Sequence, residues 1–465
     1  SASAAPAAPS TPAAPTVTRG DTQASVSWTA PANNGAAISS YTLDYSSDSG
    51  TTWTTYSSSL STTSAAVTGL TNGTSYIFRV LATNSAGSSA YSSSSTAVTP
   101  AAVPGAPTAV TATRSGTSLA VSWTAPTSDG GTAITDYTVE YSSNSGTSWS
   151  AFAHTASTAT SITITGLTTG NTYITRVTAV NGVGAGTPSS STTGVLVAVA
   201  PGAPTGVTPT RGDTEVSLTW TAPASTGGSS ITSYTVDYSS DAGSTWTTFP
   251  TTSATTSLTV TGLTNGTSYV FRVAATNVIG TGTNSSTSSA VSPAALPSAP
   301  SATVLLQSNG QVDVSWTAPS STGGFAITSY LIEYSTDSGT TWSSVTQSAA
   351  SGLTKSFVGL TLGSTYVFRV KAVTSIGTGP ASASTLGMLV ATAPGQVSTP
   401  AAVIGNTQVA LTWTAPATNG CSITGYRVDY SSNAGSTWTT FGSALAGLTA
   451  TVTGLTNGTA YVFRV

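Results

Sequence analysis

Apolar residues alternate with Ser and Thr along most of this 465-residue chain. Ala24, Val26 and Trp28 alternate with Ser25 and Ser27, and Tyr41, Leu43 and Tyr45 with Thr42 and Asp44. Tyr76, Phe78, Val80 and Ala82 share one face of a run whose other face carries Ile77, Arg79 and Leu81. Such period-two alternation predicts half-buried strands, and no helical period competes. Turn residues punctuate the pattern. Val17 opens a first strand that ends at Arg19-Gly20-Asp21-Thr22, and Pro31 to Gly35 breaks the second. Ser46 to Gly50 predicts a hairpin with Trp53 on its return limb, Val67 precedes Gly69-Leu70, and Asn84 to Gly87 leads into a final strand ending near Val98. About seven short strands with turns every 8–12 residues predict a β-sandwich.

The same pattern returns down the chain. Trp28, Trp123, Trp220, Trp316 and Trp413 stand 95, 97, 96 and 97 residues apart, and Trp53, Trp149, Trp246, Trp342 and Trp438 keep the same step. A period near 96 is too long for a solenoid and suits a small autonomous domain. Linkers reading Pro-Gly-Ala-Pro or a variant, beginning at Pro9, Pro104, Pro201, Pro297 and Pro394, mark the boundaries. The predicted organisation is an Ala/Pro/Ser linker at 1–8 and five repeats at 9–103, 104–200, 201–296, 297–393 and 394–465. The fifth lacks its last strand, and the opening residues resemble the tail of a preceding linker, so the chain reads as a window from a longer protein. Paired prolines favour a stiff connection, which predicts an extended rod of about 150–175 Å from strands rising ~3.3 Å per residue.

At this level of detail the repeats resemble fibronectin type III domains, of a bacterial extracellular type. The residues that carry the likeness are a Trp followed by Thr-Ala-Pro, then Tyr-x-Leu/Val-Asp/Glu-Tyr, then Gly-Leu-x-x-Gly-x-x-Tyr-x-Phe-Arg-Val. Repeat two departs from it at Thr175, where the others carry Phe. The resemblance implies five tandem all-β sandwiches, with a tyrosine corner at Tyr76, Tyr173, Tyr269, Tyr366 and Tyr461 whose hydroxyl bonds to backbone upstream. The immunoglobulin alternative needs two bridging cysteines, and the chain has one, Cys421. Its counterparts Ala36, Thr132, Ser229 and Phe325 make it a loop residue by expectation.

Charge narrows the functional field. Only 5% of residues are charged, for a net charge of −3, so the basic stripe of a nucleic-acid binder is absent. No run approaches the 18 or so apolar residues of a membrane span. His154 is the single histidine, which leaves no His-based triad or zinc set, and no phosphate loop opens a helix. These observations argue against an enzyme and call for no cofactor.

Candidate sites are weighed against their plainer readings. A carboxylate recurs before the second strand tyrosine (Asp44, Glu140, Asp237, Glu333, Asp429) and an arginine in the Tyr-x-Phe-Arg strand (Arg79, Arg176, Arg272, Arg369, Arg464). Both point outward by the period-two rule, which predicts a cross-strand surface ion pair worth about 0.2–1 kcal/mol. Arg19-Gly20-Asp21 and Arg211-Gly212-Asp213 spell an integrin-binding tripeptide, but they sit in turns whose counterparts (Arg114-Ser-Gly, Gln307-Ser-Asn-Gly, Ile404-Gly-Asn) are equally Gly- or Asn-rich, so a turn is expected. The hairpin residues Asp48, Asn144, Asp241, Asp337 and Asn433 offer too few carboxylates for calcium. Asn72, Asn265, Asn284 and Asn457 begin glycosylation sequons, three of which, Asn-Gly-Thr, are natural turns.

Three functional readings stay open: a segment of a bacterial surface filament, sheath or stalk; a spacer array of a secreted glycan-degrading enzyme; and a cell-surface adhesin. The Ser/Thr coat lacks the Lys and Glu that keep sheets apart, so self-association into fibres or layers is the expected partnership, with surface glycans or other cell-surface proteins as alternatives. The expected location is extracellular or at the cell surface. An incomplete fifth repeat could be completed by its own continuing chain or by a neighbouring subunit's strand.

Overall fold

The computed structural model describes residues 5–306 and 310–465. The first four residues of the chain and Gln307, Ser308 and Asn309, where the sequence leads one to expect a turn, lie outside the described part. Repeat one sets the plan. Its strands are β1 (Thr16–Arg19), β2 (Gln23–Ser27), β3 (Ile38–Ser46), β4 (Thr54–Leu60), β5 (Ser64–Thr68), β6 (Ile77–Asn84) and β7 (Gly87–Ser88). They form two antiparallel sheets, β1-β2-β5 and β4-β3-β6-β7. The three-stranded sheet and the three central strands of the second sheet recur in every repeat, with no further strand in the second sheet of repeat five, and a single 3-10 turn, Ala349–Ser351, is the only helix among the described residues.

The chain divides into two compact units. The first holds repeats one and two with Ala222–Tyr234 and Ala274–Asn284; the second holds Pro204–Thr221, Thr235–Val273 and Ser285–Val465. Within repeat one the alternating faces close on each other. Ala24 and Val26 from β2, Trp28 just past its end, Leu43 from β3, Val67 from β5 and Phe78, Val80 and Ala82 from β6 make one buried cluster. Trp28 meets Tyr41 edge to face with ring centroids 5.4 Å apart, a favoured aromatic geometry. In repeat two Thr175 is fully buried where the others place Phe, and Phe152 packs against the same core.

In repeats one to four the last segment differs from the strand the sequence predicts. Beyond β7, residues 89–95 run beside β6 without forming a ladder, and their bonds recur every third residue. The N–H groups of Ser89, Ser92 and Ser95 donate to Ala82 O, Val80 O and Phe78 O, each at 2.8 Å. In return their hydroxyls accept the N–H groups of the same three residues, each at 3.0 Å. A serine here supplies the acceptor that a strand carbonyl would otherwise present. Ser189 and Thr192, Ser285 and Ser288, and Ser382 and Thr385 do the same in repeats two, three and four. The abundance of Ser thus has a structural use: it satisfies buried main-chain donors.

Candidate functional site

The recurring acid and arginine face each other directly in the strand register, as Asp44↔Arg79, Glu140↔Arg176, Glu333↔Arg369 and Asp429↔Arg464. Arg79 Nη2 lies 2.9 Å from Asp44 Oδ2, Arg176 Nε 2.7 Å from Glu140 Oε2, and Arg272 Nε 2.9 Å from Asp237 Oδ2. Arg464 Nη2 lies 2.9 Å from Asp429 Oδ2, and Arg369 is in short contact with Glu333. The expectation of an exposed pair needs correction for the acids, whose side chains are 3–22% exposed, while the arginines keep 26–51% of their surface. The Asp44 side chain is only 3% exposed, and Thr55 Oγ1 donates to its other oxygen at 2.9 Å.

What covers the pair is the second set of tryptophans, which the sequence marked only by their period. Each arginine guanidinium lies over an indole: Arg79 on Trp53 at 4.2 Å, Arg176 on Trp149 and Arg272 on Trp246 at 4.3 Å, Arg369 on Trp342 at 4.0 Å, Arg464 on Trp438 at 4.2 Å. In repeat one Tyr91 closes the other side at 3.9 Å. The indole rests in turn on the hairpin glycine, where a Cβ added to Gly50 would stand 3.4 Å from Trp53 Cζ2. Acid, arginine, indole and glycine form one stack, in which charge and cation–π attraction act together at reduced solvent exposure. The usable signal was the constant offset between the hairpin Gly and Trp in every repeat.

Around the charged groups the environment is specific. Burial pushes Glu333 up, but hydrogen bonds from Lys371 and Arg369 outweigh it and hold the carboxyl below its ordinary range. Burial acts likewise on Asp429 and is outweighed by Arg427, Thr440 and Arg464. The hairpin acid is held more strongly. Ser46 Oγ donates to Asp48 at 2.6 Å, as does Thr52 Oγ1, and together with the Thr52 N–H they lower the carboxyl to about 2. Asp241 and Asp337 are lowered in the same way by Ser239 and Thr245 and by Ser335 and Thr341. Asn144 replaces the acid with little change, accepting from Ser142 Oγ at 2.7 Å and donating to Ser148 Oγ at 2.8 Å.

The tyrosines take the corner geometry. The hydroxyls of Tyr76 and Tyr173 accept the N–H groups of Thr71 and Thr168 at 3.1 Å, and those of Tyr269, Tyr366 and Tyr461 accept Thr264, Thr361 and Thr456 at 3.2 Å. The core indoles of Trp28, Trp123, Trp316 and Trp413 are 5–7% exposed, and their Nε1 atoms have no oxygen acceptor.

In the Arg-Gly-Asp turns the aspartates are engaged internally. Asp21 and Asp213 each accept the side-chain amide of an Asn, Asn72 and Asn265, at 2.8 Å. The same Asn residues accept the N–H groups of Thr22 and Thr214 at 2.8 and 2.9 Å, which hold φ at 50° and 55°. Gly20 O and Gly212 O accept Ala101 N and Ala294 N from the following segment. Two of the glycosylation sequons are therefore the struts of these turns.

His154 Nδ1 lies 2.9 Å from Thr155 O and 4.0 Å from Asp136 Oδ1, beside a cleft of about 180 Å³ that also meets Trp123 and Tyr137. Cys421 is exposed in a loop. Among the described residues no three His, Cys, Asp or Glu gather as metal ligands, and no helix is long and apolar enough to cross a membrane.

The family model for the fibronectin type III domain matches residues 8–98, 105–195, 202–291, 297–387 and 392–465. The chain belongs to the fibronectin type III family. Curated relatives include M-protein of striated muscle from Gallus gallus, 30% identical over 386 residues, which spans 80% of this chain and 26% of that protein. Myomesin-2 from Homo sapiens is 30% identical over 344 residues, 71% of this chain and 23% of its own length. Cardiac-type myosin-binding protein C from Rattus norvegicus is 32% identical over 167 residues, 36% of this chain and 13% of that protein. The chain thus spans about a quarter of the length of the first two. These relatives are animal proteins, and a bacterial extracellular type rests on the sequence reading alone.

Proposed function

We propose that this chain is a non-catalytic segment of an extracellular structural protein, part of a surface filament, sheath or stalk. Its likeness to structural muscle proteins supports the coarser part of that reading, a tandem structural repeat. The observation that carries it is the repetition of three polar constellations. The acid–arginine–tryptophan stack, the hairpin Asp or Asn turn and the tyrosine corner recur in all five repeats. Chemistry placed in one active site is not copied with the scaffold five times; structural chemistry is.

Self-association follows from the outer sheet faces. Hydroxyls there pair with one another across strands, as Thr111 with Ser122 at 2.9 Å, Ser217 with Thr259 at 3.0 Å and Thr303 with Ser315 at 2.7 Å. A paired hydroxyl loses less on leaving water than a free one, so such faces can pack against copies of themselves. Electron microscopy of cell-derived material together with light scattering of the purified chain tests this. Ordered filaments with concentration-dependent assembly are expected. A chain that stays monomeric at high concentration, with filaments absent from the cells, would overturn it in favour of a passive spacer.

A further inference from the structure

The segments between repeats leave few main-chain groups idle. At the first joint Gly73 N donates to Pro100 O at 2.9 Å and Ala101 N to Gly20 O at 3.1 Å, tying the segment to the repeat behind it. One residue on, Ala102 N donates to Gly130 O at 2.8 Å, and Asn181 Nδ2 donates to Ala102 O at 2.8 Å and Asp129 O at 2.7 Å, tying it to the repeat ahead. The second joint, in the same compact unit, repeats this. Gly170 N donates to Val197 O, Val199 N to Gly227 O, and Asn277 Nδ2 to Val199 O and Thr226 O, each at 2.8 Å.

Both joints of the other unit use the same main-chain pattern. Gly266 N meets Pro293 O at 2.9 Å and Ala295 N meets Gly323 O at 3.0 Å; Gly363 N meets Val390 O at 2.8 Å and Thr392 N meets Asn419 O at 3.0 Å. The chain passes from one repeat's hydrogen bonds to the next within a residue or two.

Two glycine loops meet where this happens. A Cβ on Gly131 would stand 2.3 Å from the Gly73 nitrogen and 2.8 Å from Asn72 Cβ. On Gly228 it would stand 2.4 Å from Gly170 N, on Gly324 2.4 Å from Gly266 N, and on Gly420 2.6 Å from Gly363 N. No side chain fits at these four positions while the two repeats keep their mutual placement. We propose that Gly131, Gly228, Gly324 and Gly420, each seated on the turn glycine of the repeat behind, are locks that hold consecutive repeats at one fixed angle. The stiffness comes from this packed main-chain interface, with the linker prolines playing a secondary part.

The test uses the full chain with Cys421→Ser and spin labels on Ser58→Cys and Thr158→Cys, two exposed sites in repeats one and two. Electron–electron resonance then reads the spread of distances across the first joint. The parent chain is expected to give one narrow distance, and Gly131→Ala a broad one. Gly262→Ala is the matched control, because its φ of +76° resembles the +86° of Gly131 while a Cβ there has nothing within 4 Å. It should leave the narrow distance intact. Should Gly131→Ala fail to fold, Asn181→Ala removes the side-chain bond to Ala102 O of the joint without adding an atom and is expected to broaden the distance too. A broad distance in the parent chain overturns the proposal, as does a narrow one that survives both Gly131→Ala and Asn181→Ala.

Discussion

Trp28 and Gly131 are both positions where this chain tolerates little change, for opposite reasons. Trp28 fills space: it packs against Tyr41 within a cluster of side chains brought together by alternating strands. Gly131 leaves space, so that the main chain of one repeat can lie against the main chain of another. Inside a repeat, identity is written in large apolar residues and the main chain follows. Between repeats the main chain makes the contact and side chains are excluded from it. Substitutions at the two kinds of place should therefore fail differently, one by melting a repeat and the other by loosening a joint whose repeats stay folded.

The largest effect expected is at the core. Trp28→Ala should cost repeat one about 3–5 kcal/mol, seen calorimetrically as one repeat melting early while the others keep their transitions. A uniform downward shift of the whole array would break the distinction between interior and joint. Ser92→Ala comes next. It strands the buried Val80 N–H, which has Ser92 Oγ as its acceptor at 3.0 Å, and should cost about 1–3 kcal/mol. Ser92→Thr should restore part of it, because a threonine hydroxyl accepts a strand N–H in the same way at the Ser95 position of repeats two and four, as Thr192 and Thr385.

At the joint, Asn181→Ala should cost repeat two only about 1–2 kcal/mol, while widening the distance across the first joint. A loss as large as that at Trp28 would mean that the joint carries the stability of the repeat itself.

The smallest effect is a pH dependence. Asp48 is held at about 2 in the folded state, below the ordinary carboxylate value near 3.9. Its stabilisation is complete above the ordinary value and is lost as pH falls through about 2. Asp48→Asn, copying Asn144 of repeat two, should flatten the acid limb of repeat one's melting profile between those values. An unchanged acid limb would remove the hairpin turn from the account.

Much of the interior was legible in sequence. Phe78, Val80 and Ala82 are buried as period two requires, and the tryptophan step marked the repeats. Two features were misread for physical reasons. Asp44 points outward by the alternation rule, yet outward is not exposed when Trp53 and Arg79 lie over it. The last segment was read as a strand although Ser89, Ser92 and Ser95 fall three apart, a spacing that a ladder does not use. The joints were the least visible. Gly131 reads as an ordinary turn glycine until Gly73, in a different repeat, is brought against it. No local pattern carries information about a contact made by atoms that every residue shares.

The serine segment also bears on how near-identical neighbours avoid mispairing. Adjacent copies of one sequence are prone to exchange strands during folding, and an open sheet edge invites further strands. Here β6 meets residues 89–95, which answer it once every three residues and form no ladder. A strand from another repeat has nothing regular to pair with on the far side of such a segment. The same hydroxyls that close the sheet also make its border a poor template, which keeps a chain of look-alike repeats from zipping into one another as it folds.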